Sequence, residues 1–364
     1  MATQAQEDLP KSGRGIPPLH HWDETWLSQR HEEVLEPDLP IVDAHHHIWD
    51  RNLRLPYLPQ HMLADMQSGH LVRGSVYVEC SFMYRAGGDP RFAGVGEVEY
   101  VNGVAAEFAS NYHGPIRPCA GIVGKVDLTL GAAAGEVLGA CLARAPDRFR
   151  GVRYMTAWDA SPEVRTLLHP PPPGLMLDRT FREGFAELAP LGLSFDALCY
   201  HPQLPELTNL VNAFPDTTFI VNHLGGLVRV GPYRANPDEV IESWARNLRA
   251  LGKRPNVFLK VGAMTMRNFG FAFADHDRPA SSTALAAAWK PFVEICLEAF
   301  GPFRVMFESN FPVDKTGVSY RTLWNAFKRL AADLGETEKA DVFAGTAIRA
   351  YRLSENLGTA PTTD

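Results

Sequence analysis

Cysteine is scarce and unpatterned in this chain. Only Cys80, Cys119, Cys141, Cys199 and Cys296 occur in 364 residues, and no two stand in a Cys-x-x-Cys spacing. An odd, scattered set excludes the disulfide framework of a small secreted domain and predicts reduced thiols in a cytoplasmic enzyme. Long apolar runs are also missing. No stretch approaches the roughly 18 residues that a membrane span requires, and the opening residues Met1 to Leu9 are polar and acidic, without a signal-like apolar stretch. Lys/Arg-rich runs are absent as well, and the net charge is −7, so neither nucleic acid nor an anionic membrane is an expected partner.

What is present is a chain that is 45% hydrophobic, enough for a large core. Its most informative stretch is Leu39-Pro40-Ile41-Val42-Asp43-Ala44-His45-His46-His47-Ile48-Trp49-Asp50. A β-branched run leads directly into three histidines. Strand alternation predicts that Asp43, His45 and His47 share one face and that His46 takes the other. Two imidazoles at that spacing can hold one divalent cation or clasp one substrate oxyanion.

Seven more apolar runs follow, at residues 73–80, 117–124, 149–155, 193–200, 218–223, 257–262 and 303–310. Between them, residues 98–111, 132–145, 181–191, 204–214, 238–251 and 285–300 carry apolar side chains at helical spacing. Alternating strand and helix predicts a parallel sheet, and eight such units predict an α/β fold closed as a (β/α)8 TIM barrel. The expected organisation is an N-terminal extension packed on the barrel (1–38, with short helices near 24–29 and 32–35), the barrel itself (39–355) and a flexible tail (356–364). The first dozen residues are also expected to be flexible. Residues 156–178, which include the run His169-Pro170-Pro171-Pro172-Pro173-Gly174, and residues 263–284 are expected as long loops over the C-terminal mouth.

In such a barrel the active site lies where the strands end. That rule selects His45 and His47 from the first strand, Glu79 from the second, Arg153 from the fourth, and Tyr200 with His201 from the fifth. It adds His223 from the sixth, Lys260 from the seventh, and Glu308 with Asn310 from the eighth. Glycines after His223, in Val221-Asn222-His223-Leu224-Gly225-Gly226, would let the backbone approach a ligand closely.

Four motifs in this order, namely Asp43-Ala44-His45-His46-His47-Ile48-Trp49, Phe149-Arg150-Gly151-Val152-Arg153, Phe219-Ile220-Val221-Asn222-His223-Leu224-Gly225 and Val305-Met306-Phe307-Glu308-Ser309-Asn310-Phe311-Pro312-Val313, resemble the amidohydrolase superfamily. The resemblance is strongest to the branch of fuconolactonase and 2-pyrone-4,6-dicarboxylate lactonase. It implies that His45 and His47 bind metal or substrate, that His223 is the histidine after strand six, and that Arg153 meets a substrate carboxylate. One departure stands out: where the family places an aspartate at the end of strand eight, this chain has Asn310, whose carboxamide cannot take a proton from water. Glu79 is the favoured replacement, as base or third metal ligand beside His45 and His47, with Glu308 and Asp314 as the other carboxylates in reach.

The activity implied is hydrolysis of a lactone or similar cyclic ester, its carbonyl polarised by a divalent metal (Zn or Mn) or, without metal, by the histidines. Glu79 or His223 would take the proton of water, and His223 or Lys260 would steady the oxyanion. Arg153, Tyr200, His201, Trp49, Trp158 and Phe271 would contact the small-molecule substrate. The alternatives are a non-oxidative decarboxylase of an aromatic or unsaturated acid and a non-catalytic small-molecule binder. A homodimer is compatible with this architecture.

Overall fold

The structure, a computed structural model, describes residues 21–50, 55–164 and 170–359. The first residues and the last of the tail, both expected to be flexible, lie outside the described residues, as does His169. Eight parallel strands follow one another round a sheet in chain order: β1 (Ile41–His46), β2 (Val72–Val78), β3 (Arg117–Gly124), β4 (Phe149–Met155), β5 (Ser194–Leu198), β6 (Phe219–Val221), β7 (Val257–Val261) and β8 (Val305–Phe307). The ring closes where the chain leaving β8 meets the end of β1. There His47 N donates to Phe311 O at 2.7 Å and Asn310 N donates to His45 O at 2.9 Å. This is the predicted (β/α)8 barrel.

Alternation along each strand separates two cores. One set of side chains, including Phe149, Val152, Phe195, Phe219, Leu259 and Phe307, packs outward against the surrounding helices. The helix Pro237–Gly252 shows why: Trp244, Leu248 and Leu251 recur at helical spacing on its buried face, while charged residues fill the rest. The other set, including Val42, Ala44, Val76, Val78, Ile220 and Met306, faces the barrel axis. It packs against Ala344, Ala347, Ile348 and Tyr351 of the C-terminal helical segment, which closes the lower mouth.

Four local expectations need correction. Residues 32–35 are not helical. Their polar groups instead bind the helix Tyr320–Leu330: Leu35 N donates to Asn325 Oδ1 at 2.9 Å, and Lys328 Nζ donates to Leu35 O at 2.7 Å. The expected helix at 181–191 is Arg179–Phe185 followed by a separate turn, Ala189–Leu191, because Pro190 has no N–H to continue the first. The strand read at 303–310 begins only at Val305, after a turn at Pro302–Arg304, and ends at Phe307.

The fourth correction concerns Asp43. Asp43 pairs with Ser75 and His46 with Tyr77, so three steps on β1 match two on β2. This bulge resets the alternation. Asp43 therefore turns to the outer layer, where its carboxylate accepts from Tyr320 Oη at 3.0 Å and Ser309 N at 2.8 Å. His45 and His47 remain together at the upper mouth, with Nε2 atoms 3.2 Å apart.

Candidate active site

Three carboxylates and two cations meet at the strand ends around His45, all fully or almost fully buried. Two carboxylates have a cation of their own. Arg153 Nε donates to Glu79 Oε1 at 2.8 Å, while its Nη2 donates to the Glu79 main-chain oxygen. Lys260 Nζ donates to Asp196 Oδ1 at 2.8 Å. Glu308 has neither cation. Its Oε1 lies 2.7 Å from His223 Nδ1, and its Oε2, without a hydrogen bond, lies 2.9 Å from His45 Nδ1.

His45 is the hub. Lys260 Nζ stands 3.3 Å from its Nδ1, and Arg153 Nη1 stands 3.4 Å from its Nε2. Burial first, and then the Lys260 ammonium, holds its pKa well below the usual histidine value. Burial and the Arg153 guanidinium do the same for His47, whose Nδ1 is 2.8 Å from Val78 O. Both rings are therefore neutral near pH 7, the form that ligates metal. The donor set fits a divalent cation: ligand atoms of His45, His223 and Glu308 lie within 4.8 Å of one another, and Glu308 Oε2 is a buried oxygen with no hydrogen bond.

The chain reaches His223 through a run of left-handed residues: φ is 54° at His223, 52° at Leu224, 70° at Gly225 and 63° at Gly226. The last must be glycine, since a Cβ at 226 would sit 1.8 Å from Cys199 O. Non-glycine residues at positive φ store strain, which concentrates at functional sites. Asn310 is also left-handed, with φ 54°. That turn directs its Nδ2 to Asp314 Oδ2 at 2.7 Å. Asp314 accepts further from Thr265 N and Oγ1, and burial lifts its carboxyl to about 6.

The sequence-derived set divides in two. His45, His47, Glu79, Arg153, Lys260, His223 and Glu308 come together. The trio expected to hold a metal was His45, His47 and Glu79; the ligand atoms that lie within 4.8 Å of one another belong to His45, His223 and Glu308, and Glu79 is paired with Arg153. Trp49 stacks on His47 at 5.8 Å, at the edge of the cluster.

The remaining residues serve the loops. Tyr200 Oη donates to Val164 O at 3.1 Å, and His201 Nδ1 accepts from Val228 N at 3.2 Å. Trp158 N donates to Gln203 Oε1 at 2.9 Å. Phe271 is sandwiched between Phe269 and Phe273, each 5.2 Å away, beside Phe292 of the helix Ser282–Phe300. Phe271 meets that helix edge-on, with the two ring planes at 83°.

Sequence reasoning missed Asp196 and Tyr351. Asp196 is fully buried and accepts from Lys260, from Tyr351 Oη at 2.8 Å and from Asn222 Nδ2 at 3.0 Å. An acidic residue inside the apolar run 193–200 was the available signal, since an unpaired charge is not tolerated there. Tyr351 gave none, because it arrives from the far end of the chain.

These features define an α/β barrel with a histidine–carboxylate cluster at the C-terminal ends of its strands. The chain belongs to the amidohydrolase family, whose sequence profile matches residues 42–353. The protein y4mH of Sinorhizobium fredii is 30% identical over 339 residues, 87% of this chain and 99% of that protein. The L-fucono-1,5-lactonase of Burkholderia multivorans is 27% identical over 179 residues, 49% of this chain and 57% of the lactonase. Among solved structures, an amidohydrolase from Burkholderia multivorans with bound zinc superposes with a TM-score of 0.65 at 23% identity, covering 86% of this chain and 100% of the other. Among the described residues, no helix is long and apolar enough to cross a membrane.

Proposed function

We propose that this chain hydrolyses a lactone or similar cyclic ester, with a divalent cation held by His45, His223 and Glu308 and with His47 beside it. The observation that carries this reading is the charge pairing of the site. Glu79 and Asp196 are each paired with a buried arginine or lysine, whereas the partners of Glu308 are the imidazoles of His45 and His223. A buried carboxylate without a counter-charge is costly, and a divalent cation at this point supplies one. When bound, such an ion polarises a carbonyl oxygen and acidifies water.

The chain's own groups complete the chemistry. Glu79 Oε1 is fixed by Arg153, and its Oε2 has no hydrogen-bond partner. That oxygen is the basic atom available to take the proton of the attacking water. The guanidinium of Arg153 and the ammonium of Lys260, both near His45, place positive potential where an oxyanion develops. The partial match to a lactonase supports the choice of ester.

The test offers purified protein L-fucono-1,5-lactone and 2-pyrone-4,6-dicarboxylate while following acid release and CO2 together. Acid release without CO2, abolished by chelation and restored by Zn or Mn, is the expected result. CO2 release from a carboxylated substrate in place of ring opening would overturn hydrolysis in favour of a lyase. Undiminished turnover in metal-free protein would overturn the role of the cation.

A further inference from the structure

A cavity of about 420 Å³ opens at the other end of the barrel, where the strands begin. Arg73 of β2, Arg117 of β3, Arg150 of β4 and Arg148 just before β4 all line it, with Leu353 and Leu357 of the C-terminal segment on its floor. Four guanidiniums in one concave wall need compensation. Among the described residues their hydrogen bonds go to neutral oxygens. Arg73 Nη2 donates to Asn356 O at 3.4 Å, Arg148 Nη1 to Asn102 Oδ1 at 2.8 Å, and Arg150 to the main-chain oxygens of Pro146 and Asp147. Arg117 binds the main-chain oxygens of Phe108, Gly114 and Ile116 and the side chain of Asn111.

Among the described residues, none of the four makes an ion pair with a carboxylate. Asp147, the one acidic residue in the wall, meets Arg150 through its main-chain oxygen. Arg73 is only 8% exposed, and among the described residues the buried Nε atoms of Arg73 and Arg150 have no hydrogen-bond partner. Burial, followed by the neighbouring arginine, lowers the pKa of each: Arg117 acts on Arg73, and Arg352 on Arg150. Elsewhere Arg85, Arg91, Arg179, Arg249 and Arg349 each pair with an acid, while Arg182, Arg254 and Arg304 bind neutral oxygens singly rather than as a cluster around one cavity.

We propose that this cavity is a second ligand site, separate from the histidine cluster, that takes a small multivalent oxyanion of the phosphate type. Guanidinium groups match such an anion in both charge and hydrogen-bond geometry, and a cavity wall that carries four arginines against one acid keeps a net positive field. The two unpartnered Nε–H groups are donors that the folded chain leaves unused. The cavity suits a molecule of a few to about ten heavy atoms rather than a folded partner.

Titration calorimetry with inorganic pyrophosphate, at ionic strength held constant with sodium chloride, tests this. The wild type should bind with one saturable site per chain. Ala109→Glu places a carboxylate in the wall from the exposed end of the helix Val95–Ala109 without touching any arginine, and should weaken binding at least tenfold. Arg148→Gln should weaken it as well, while His45→Ala, at the opposite mouth, should leave it unchanged. Absence of saturable binding in the wild type overturns the proposal outright. Binding that survives Ala109→Glu, or that is lost in His45→Ala, places the anion elsewhere and also overturns it. Circular dichroism confirms that each variant is folded. Should Ala109→Glu fail to fold, the wild type and His45→Ala still decide, because loss in the latter assigns the anion to the upper mouth.

Discussion

Glu308 holds His223 twice. Its Oε1 lies 2.7 Å from the ring Nδ1 and also accepts from the His223 backbone N at 3.2 Å. One carboxylate oxygen thus fixes both the orientation of the imidazole and the left-handed turn that presents it. Glu308 is the acid that ties the end of β8 to the end of β6.

Removing the charge of Glu308 should therefore empty the proposed cation site. Glu308→Gln is expected to reduce bound metal at least about tenfold in elemental mass spectrometry, as is His45→Ala. Glu79→Gln is expected to retain it, since Arg153 already neutralises Glu79. Metal lost from Glu79→Gln but kept in Glu308→Gln would reverse the assignment.

The proton-accepting role of Glu79 makes a separate kinetic demand. Glu79→Gln keeps the shape and an oxygen for Arg153 but loses basicity. It should lower kcat by about 100-fold or more with KM little changed and metal content intact. His223→Asn should lose both metal and turnover. Full activity in Glu79→Gln would remove Glu79 from the chemistry.

The Lys260–Asp196 pair is fully buried, with the ammonium also 5.2 Å above the Tyr351 ring. Lys260→Met leaves Asp196 uncompensated and should destabilise the fold by about 3–5 kcal/mol. Adding Asp196→Leu should recover part of that loss, since the stranded charge disappears. Urea denaturation of the two single variants and the double variant closes the cycle. Strict additivity of the two losses would show that the pair is not coupled.

Much of this architecture is visible in the chain before any coordinates. The runs 117–124 and 149–155 are strands over their whole length, because both are short, apolar and punctuated at each end. The resemblance drew attention to His45 and His223, and the rule that barrel sites lie at strand ends drew attention to Glu308 as an alternative to Glu79. Partnership was the part that could not be read. Whether Arg153 meets a substrate or Glu79 depends on a strand two places away in the sheet, and Asp43 was misjudged because a bulge leaves no mark in the alternation. Tyr351 reaches Asp196 across 155 positions, a contact that local pattern does not encode.

Acid stability should show a histidine limb away from the site. Burial first, then the Lys328 ammonium 2.9 Å from Nδ1, holds His70 at about 4 against its usual 6.5. Between those values the unfolded chain binds a proton that the folded chain refuses. The contribution is therefore complete above pH 6.5 and is lost as pH falls towards 4, on the order of 3 kcal/mol. Asp43 and Asp314, both lifted to about 6 by burial, act with opposite sign, losing their contribution as pH rises through 6. Comparing wild type with His70→Gln cancels those terms. The variant should show a shallower fall in stability between pH 6.5 and 4, and parallel curves would show that His70 does not titrate as its surroundings dictate.

The closure of the lower mouth has a consequence for how the protein is made. A ribosome that has released all eight strands has not yet released Ala344, Ala347, Ile348 or Tyr351. Until they emerge, the apolar floor formed by Val42, Val76 and Ile220 stays open to water, and Asp196 lacks one of its donors. The barrel is thus a vessel whose base is fitted after its wall, and its interior becomes dry only once residues 344–351 have emerged.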